Sequence, residues 1–280
     1  MYKIIHEFKP IFEHIVGTSI DDCWFKILRK VLLEGRTYKI SSGSFEGHSR
    51  ISNFIIAEMH QPWIRPLVPF MPEGANISPP TTAERIEKYI EKLLHPESKE
   101  KNEHYTYAED LWWEFEEIVK YFKKYGFDNA CCYMGVGRPE SLFFYNRDVD
   151  YREGIIVRDR NTKRTVYKRK INNLWNRDEN VEVSAQCLRG IDVSVVNNKL
   201  YFTCYFRSQD LYSGFPENYG GIQIVKEYMV AALGIEDGPL IAISKDLHVY
   251  DYAAAVAYTA IRAEPKDMLI SNNEREEKSG

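Results

Sequence analysis

Apolar residues recur at helical spacing in five segments of the chain. The first begins at Ser19-x-x-Asp22, a capping-box-like start, and is expected to stop at Gly35. Its inward positions are Ile20, Trp24, Ile27, Leu28 and Val31. A second helix is expected from Thr81 or Thr82 through Leu94, with one face made by Ile86, Ile90 and Leu93. The other three are expected at about Tyr107 to Tyr125, Asn218 to Leu233 and Tyr252 to Arg262.

Strands are predicted between these helices. Residues 37–60 alternate between apolar and polar positions, and the segment from Val193 to Phe206 contains Asn197-Asn198, a pair typical of a hairpin turn. Leu240 to Ile243 predicts a further strand. The prolines between residues 62 and 80 break regular structure, so an ordered connector is expected there. The pattern as a whole indicates an α/β protein.

Two stretches stand apart from this pattern. Residues 140–182 are rich in arginine and lysine, and a β-hairpin around Asn161-Thr162 is expected within them. The simplest interpretation of this stretch is a solvated charged hairpin. Residues 265–280 are polar and are expected to form a frayed tail, which leaves residues 1–264 as a single domain.

Composition narrows the class of protein. The chain has 280 residues, a hydrophobic fraction of 44% and a net charge of −4, which argues against a nucleic-acid polymer as partner. No apolar run approaches the ~18–20 residues that span a bilayer, and charges at Glu7 and Lys9 argue against a secretory signal. Five cysteines without metal-type spacing predict reduced thiols in a cytoplasmic protein that holds no metal.

Three motifs carry candidate chemistry. Cys187 precedes, by twenty residues, the run Arg207-Ser208-x-Asp210-(x3)-Gly214-x-Pro216-x-Asn218, and Asp246-x-His248-x-Tyr250 follows. The three motifs together resemble the thymidylate synthase family, well over residues 184–258 and loosely over Thr18–Arg36 and Tyr105–Trp112. The resemblance implies a mixed sheet flanked by helices, and a homodimer formed through the sheet.

The resemblance also implies a reaction. Carbon 5 of uracil is a poor nucleophile, and addition of a thiolate at carbon 6 converts the ring into an enolate that attacks a one-carbon unit. Cys187 is the implied nucleophile, and a guanidinium such as that of Arg207 favours its thiolate. The implied co-substrate is 5,10-methylenetetrahydrofolate or a tetrahydromethanopterin analogue, and the implied product is dTMP from dUMP.

Binding roles are carried over residue by residue. Asn218 matches the amide that reads uracil, although it is also suited to cap the following helix. Asp210 and Gly214 match the pterin contacts, with a surface ion pair to Arg207 as the plainer interpretation of Asp210. The residues matching the sugar and phosphate contacts are His248, Tyr250, Arg207, Ser208 and Arg36.

The resemblance weakens at the phosphate and at the general base. The family's arginine pair from the partner subunit corresponds here to Asn129-Ala130-Cys131. The resemblance implies that residues 140–182 are a basic insertion, whose arginines Arg147, Arg152 and Arg158 are candidate replacements. Glu91 is the candidate general base, with Glu87 as the alternative, and both are equally consistent with exposed helix charges. Tyr107 resembles the tyrosine that orders water near carbon 5.

Two further departures are Leu188, where many members have histidine, and Phe206, where glutamine is common. Two alternatives therefore stay open: a pyrimidine nucleotide hydroxymethylase, in which water intercepts the methylene intermediate, and a nucleotide-binding homologue without catalysis.

Overall fold

The structure is a computed structural model that describes residues 12–41, 45–99, 106–127, 131–137, 155–158, 165–169 and 186–264. Arg147, Arg152, Asn129 and the tail at 265–280 lie outside these residues, as does the predicted turn at Asn161-Thr162.

Five α-helices are found among the described residues, as the sequence predicts. They are α1 (Ile20–Glu34), α2 (Ala83–Leu94), α3 (Ala108–Tyr125), α4 (Gly214–Leu233) and α5 (Asp251–Ala260), and a 3-10 turn lies at Pro96–Ser98. The side chains of Ser19 and Thr82 accept the capping hydrogen bonds of α1 and α2. The predicted start of α4 at Asn218 is wrong, because the helix begins one turn earlier at Gly214.

Ten strands complete the described secondary structure. They are β1 (Glu13–Gly17), β2 (Arg36–Lys39), β3 (Ser49–Met59), β4 (Tyr133–Gly135), β5 (Ile155–Arg158), β6 (Thr165–Arg169), β7 (Leu188–Val196), β8 (Lys199–Phe206), β9 (Gln209–Asp210) and β10 (Glu236–Tyr250). β5 and β6 pair antiparallel, which confirms strands on both sides of the predicted hairpin in the insertion. Asn197 and Asn198 have φ of 50° and 63° between β7 and β8, which confirms that hairpin turn.

The main sheet is mixed, as expected. Its order is β1-β3-β10-β8-β7-β4, with β2 paired to β3 and β9 paired to β10. β10 runs parallel to β8 and antiparallel to β3, whereas β7 is antiparallel to β8. β10 is far longer than the predicted strand at Leu240–Ile243, because register shifts at Asp237/Leu240 and Ser244/Leu247 interrupt its alternation.

The helices cover one face of this sheet. Ala57, Ala242 and Cys204 lie side by side on β3, β10 and β8, and all three are buried in the hydrophobic core. The next residues along each strand point to the opposite face, and Ile56, Ile243 and Tyr205 there are only half-buried or exposed. The sheet therefore has one fully packed face and one apolar face that the described chain leaves partly open.

The long helix α4 lies in the core, where two glycines allow α2 to approach it closely. A Cβ on Gly220 would lie 2.8 Å from Ile86 Cδ1, and a Cβ on Gly221 would lie 2.7 Å from Tyr89 Cδ1. These distances are shorter than carbon–carbon contacts allow, so α2 and α4 can pack this closely only with glycine at both positions.

Lys226 on α4 is buried in the core with an exposed fraction of 0%, and its ammonium lies 2.6 Å from Asp237 Oδ1. The ammonium also donates to the backbone oxygen of Gly238 and to Gln223 Oε1. Burial lowers the pKa of Lys226 even though Asp237 opposes the shift. Asp237 is consequently the anion that allows a charged lysine to remain inside the sheet–helix interface.

We expect Asp237→Ala to lower the free energy of unfolding by about 3–5 kcal/mol, because it leaves the Lys226 ammonium buried without its anion. Equilibrium denaturation in urea checks this. The double variant Lys226→Met/Asp237→Leu should recover most of the loss. The matched control is Glu236→Ala, whose side chain is 67% exposed and whose effect should stay within about 0.5 kcal/mol. Equal losses for Asp237→Ala and the control would contradict the assignment.

Candidate active site

Several strand and helix ends meet at one end of the sheet. β7 begins where the antiparallel β8 ends, with Leu188 opposite Phe206. β10 runs parallel to β8 and continues beyond it, so that Leu247 pairs with Gln209 and His248 with Asp210 on β9. The three sequence motifs, separated by up to sixty residues, are therefore neighbours in the fold.

Cys187 and Arg207 are held side by side. The backbone N–H of Arg207 donates to the carbonyl of Cys187 at 2.9 Å, and Arg207 Nε donates to the carbonyl of Gln186 at 3.2 Å. The hydroxyl of Tyr107 accepts the backbone N–H of Leu188 at 3.5 Å. The structure thus brings the predicted nucleophile, its guanidinium neighbour and the predicted tyrosine together.

Among the described cysteines, Cys187 is half-buried, whereas Cys23, Cys132 and Cys204 are buried and Cys131 is exposed. Burial raises the pKa of Cys23 to about 12 and also raises the pKa values of Cys132 and Cys204, so these three are poor nucleophiles. Cys187 alone combines partial exposure with a backbone hydrogen bond to Arg207.

The half-buried carboxylate of Asp246, on β10, contacts side chains from β2, β3 and the end of β8. Its oxygens accept hydrogen bonds from Ser52 Oγ at 2.6 Å, Ser208 Oγ at 3.3 Å and the Tyr38 hydroxyl at 3.0 Å, and Arg50 Nη1 lies 3.2 Å away. Burial alone favours the neutral acid, but Ser52, Tyr38 and Arg50 outweigh it and lower the pKa of Asp246. Asp246 is therefore ionised, and both of its carboxylate oxygens accept hydrogen bonds.

Arg50 also positions the predicted sugar-binding pair. Its Nη2 donates to the Tyr250 hydroxyl at 2.9 Å, and its guanidinium carbon lies 4.8 Å from the centre of the Tyr250 ring. His248 Nδ1 contacts the backbone oxygen of Asp246 at 3.0 Å, whereas the buried Nε2 has no hydrogen-bond partner among the described residues. Burial, aided by Arg50, lowers the pKa of His248, so the imidazole is neutral and Nε2 is available to a ligand.

Asp210 caps α4. Its Oδ2 accepts the backbone N–H groups of Ser213 and Gly214 at 3.0 and 2.9 Å, together with the Ser213 hydroxyl at 2.7 Å. Ser213 is the N-cap residue of α4, and the carboxylate of Asp210 supplies the capping hydrogen bonds. The alternative interpretation of Asn218 as the helix cap is therefore wrong. Asn218 lies inside the first turns of α4, and its Oδ1 accepts from the side chain of Gln209 at 3.0 Å.

Other predicted residues are not brought to this cluster by any described contact. Glu91 and Glu87 are exposed on the outer side of α2, whose inward face is formed by Ile86, Tyr89 and Leu93. Arg36 begins β2 with an exposed side chain, but its backbone pairs with Ser52, next to the Asp246 cluster. Cys131 lies beside the Tyr121 hydroxyl at 3.8 Å, away from the motifs.

Sequence reasoning missed three residues of this region. Arg50 and Gln209 carry no local signal that separates them from ordinary strand positions. Glu114 lies on α3 two turns after Tyr107, and its carboxylate accepts the backbone N–H of Gly135 at 2.7 Å. Burial and the nearby Asp110 raise the pKa of Glu114 to about 7, against the Gly135 hydrogen bond.

Within the part of the chain that the structure describes, no cluster of three or more His, Cys, Asp or Glu side chains is arranged to hold a metal ion. In the same part, no helix is long and apolar enough to cross a membrane.

The chain belongs to the thymidylate synthase family: the model of the thymidylate synthase domain matches residues 116–278. A Methanosarcina acetivorans protein named "Putative thymidylate synthase" is 25% identical over 145 residues, which cover 51% of this chain and 66% of that protein. A protein of the same name from Methanosarcina mazei is 32% identical over 66 residues, or 24% of this chain and 30% of its own length. This chain therefore spans less than two-thirds of these relatives.

A solved structure, the thermostable thymidylate synthase A from Bacillus subtilis, has the same fold. It superposes with a TM-score of 0.54 and 13% sequence identity, covering 89% of this chain and 86% of that chain. The predicted thymidylate synthase fold is thereby confirmed.

Glu114 generates a prediction about pH. Its folded-state pKa of about 7 lies above the ordinary glutamate value of 4.5, so between these pH values the folded protein keeps this proton while the unfolded chain has lost it. The free energy of unfolding should fall as pH rises from 4.5 to 7, and Glu114→Gln should remove that contribution. Urea denaturation at pH 5 and pH 8 should show the variant gaining stability relative to wild type at the higher pH. Glu116→Gln, 57% exposed on the same helix, is the control and should show no such gain.

Proposed function

We propose that this protein transfers a one-carbon unit from a methylene-tetrahydrofolate-type co-substrate to carbon 5 of a uracil nucleotide, through a thioether between Cys187 and carbon 6. The observation that carries the proposal is the hydrogen-bonded juxtaposition of Cys187 with Arg207, next to Tyr107. Family membership supports the reaction class.

The thiolate supplies the first electron pair. Sγ of Cys187 bonds to carbon 6, the carbon 5–carbon 6 double bond opens into an enolate, and carbon 5 attacks the electrophilic methylene. Loss of the proton from carbon 5 then allows elimination of the co-substrate amine, which leaves an exocyclic methylene on carbon 5. The released tetrahydropterin would donate a hydride to this methylene and become a dihydropterin, which completes the methyl group as the thiolate leaves carbon 6. The Tyr107 hydroxyl, which accepts the backbone N–H of Leu188 beside Cys187, is the group we propose to order water near carbon 5.

We assign the contacts to the base, the sugar and the phosphate of the nucleotide to other residues of this site. The Asn218 amide faces the base, and the unpartnered Nε2 of His248 together with Tyr250 meets the sugar hydroxyl. Ser208 and Arg207 meet the phosphate, joined by Arg36 from the exposed start of β2. Arg50 offsets the charge of Asp246, so a phosphate at Ser208 does not face an uncompensated carboxylate.

The reduced pterin is proposed to lie over the N-terminus of α4. Gly214 has no side chain there, and an added Cβ would lie 3.2 Å from Asp210 Cβ and 3.8 Å from Asn218 Oδ1. Asp210 caps the helix and so fixes its own orientation for this contact. We do not assign the general base to Glu91 or Glu87, because both are exposed on the outer side of α2.

We expect Cys187→Ala to reduce tritium release from [5-³H]dUMP, in the presence of methylenetetrahydrofolate, to the uncatalysed background. The variant should also lose the covalent adduct with 5-fluoro-dUMP, which mass spectrometry of the intact protein detects. Cys131→Ala removes an exposed thiol and serves as the control, with full activity expected.

A 5-fluoro-dUMP adduct that persists in Cys187→Ala would contradict the nucleophile. A folded wild type that releases no tritium from dUMP, UMP or dCMP would favour the nucleotide-binding homologue. Chromatography of the product separates the methyl from the hydroxymethyl outcome.

We also propose a homodimer formed through the open face of the sheet. The half-buried apolar residues there include Phe54, Ile56, Ile241 and Ile243, with exposed Tyr205 beside them. An apolar patch of this kind on an open sheet face is typical of a subunit interface, and Glu58 and Thr203 beside Ile241 add polar groups to it.

Ile243→Glu should shift the protein from dimer to monomer in sedimentation velocity at micromolar concentration, because the charge would be buried without a partner in the interface. Tyr228→Glu, at a 53% exposed position on α4, is the control and should leave the sedimentation coefficient unchanged. A stable dimer in Ile243→Glu would place the interface elsewhere.

A further inference from the structure

Gln209 lies between two other polar groups behind the candidate active site. It is 3% exposed on β9, and its Oε1 accepts the hydroxyl hydrogen of Ser244 at 2.7 Å. Its Nε2 donates to Oδ1 of Asn218 at 3.0 Å. Ser244 is 1% exposed, so this chain of hydrogen bonds starts in the core and ends at a half-buried amide.

The chain of hydrogen bonds has a direction. A side-chain amide has one accepting and one donating end, and in the structure the Ser244 hydroxyl donates to Oε1 of Gln209, so the accepting end of that amide lies toward the core. The donating end therefore faces Asn218, which must turn its oxygen toward Gln209 and its NH₂ group away from it. With the opposite orientation, two NH₂ groups would face each other in a buried site, an arrangement that costs free energy.

We propose that Gln209 is a positioning residue that fixes the orientation of the Asn218 amide and thereby selects uracil over cytosine. This inference rests on the proposed function. Uracil carries a carbonyl at carbon 4, which accepts the exposed NH₂ of Asn218, and the second lone pair of Oδ1 accepts the N3–H of uracil. Cytosine carries an amino group at carbon 4. This group and the NH₂ of Asn218 are both hydrogen-bond donors, so they cannot bond to each other.

The test compares the affinities of wild type and Gln209→Leu for dUMP and dCMP by titration calorimetry. Leucine keeps the bulk of the side chain and removes both hydrogen bonds, so Asn218 becomes free to present either end of its amide. We expect the ratio of the two dissociation constants to fall at least tenfold, through weaker dUMP binding and stronger dCMP binding.

Gln223→Leu is the matched control. Gln223 is another buried glutamine, on α4, and its partners Lys226, Asp237 and Glu227 lie apart from Asn218. Gln223→Leu should lose at least as much stability as Gln209→Leu, because it also removes partners of the buried Lys226–Asp237 ion pair, but only Gln209→Leu should change the ratio. Should Gln209→Leu not fold, Ser244→Ala provides the second measurement, because it releases Gln209 to turn over and should lower the same ratio.

The outcomes separate this inference from the proposed function. If wild type prefers dUMP and Gln209→Leu shows the same preference, the role of Gln209 is overturned but the proposed function is not. The same holds for Ser244→Ala where it replaces Gln209→Leu. A wild type that binds neither nucleotide overturns the proposed function and this inference together. A fall of the ratio equal to that in Gln223→Leu assigns the effect to stability and also rejects the proposal.

Discussion

The ionised carboxylate of Asp246 is the constraint on which the candidate site depends. It sits on β10 beyond the end of β8 and receives hydrogen bonds from Tyr38, Ser52 and Ser208, with Arg50 as its counter-ion. These partners come from β2, β3 and the end of β8. A partly buried charge is stable when its lone pairs are satisfied, so the contacts of Asp246 hold all four side chains in place.

A carboxylate also satisfies several hydrogen-bond donors at the start of α4. Asp210 satisfies the first N–H groups of the helix, and this capping orients the turn that carries Gly214 and leads to Asn218. The backbone of Arg207 likewise forms the last hydrogen bond between β8 and the residue before β7, which is Cys187. The motif residues thus help to form the fold at the point where they are proposed to act.

Much of the fold could be predicted from the sequence because its signals are local. The caps at Ser19 and Thr82 and the stop at Gly126 act within a few residues, so helix ends were predictable. β10 was predicted only at Leu240–Ile243, because register shifts disrupt the alternation on both sides of it. The start of α4 was missed because Gly214 and Pro216 resemble a turn. A proline is nevertheless tolerated in the first helical turn, since the N–H group that it lacks would have no partner within the helix.

The sequence by itself determined the helices, the β7–β8 hairpin and the motif that contains Cys187, Arg207 and Asn218, since each depends on neighbours along the chain. Only the tertiary structure decided that Arg50 lies beside Asp246, 196 residues away, and that Gln209 lies against Asn218. It also placed Glu91 on the outer side of α2. Such contacts depend on strand register and helix packing, which the cooperative burial of the whole core selects and which no local pattern encodes.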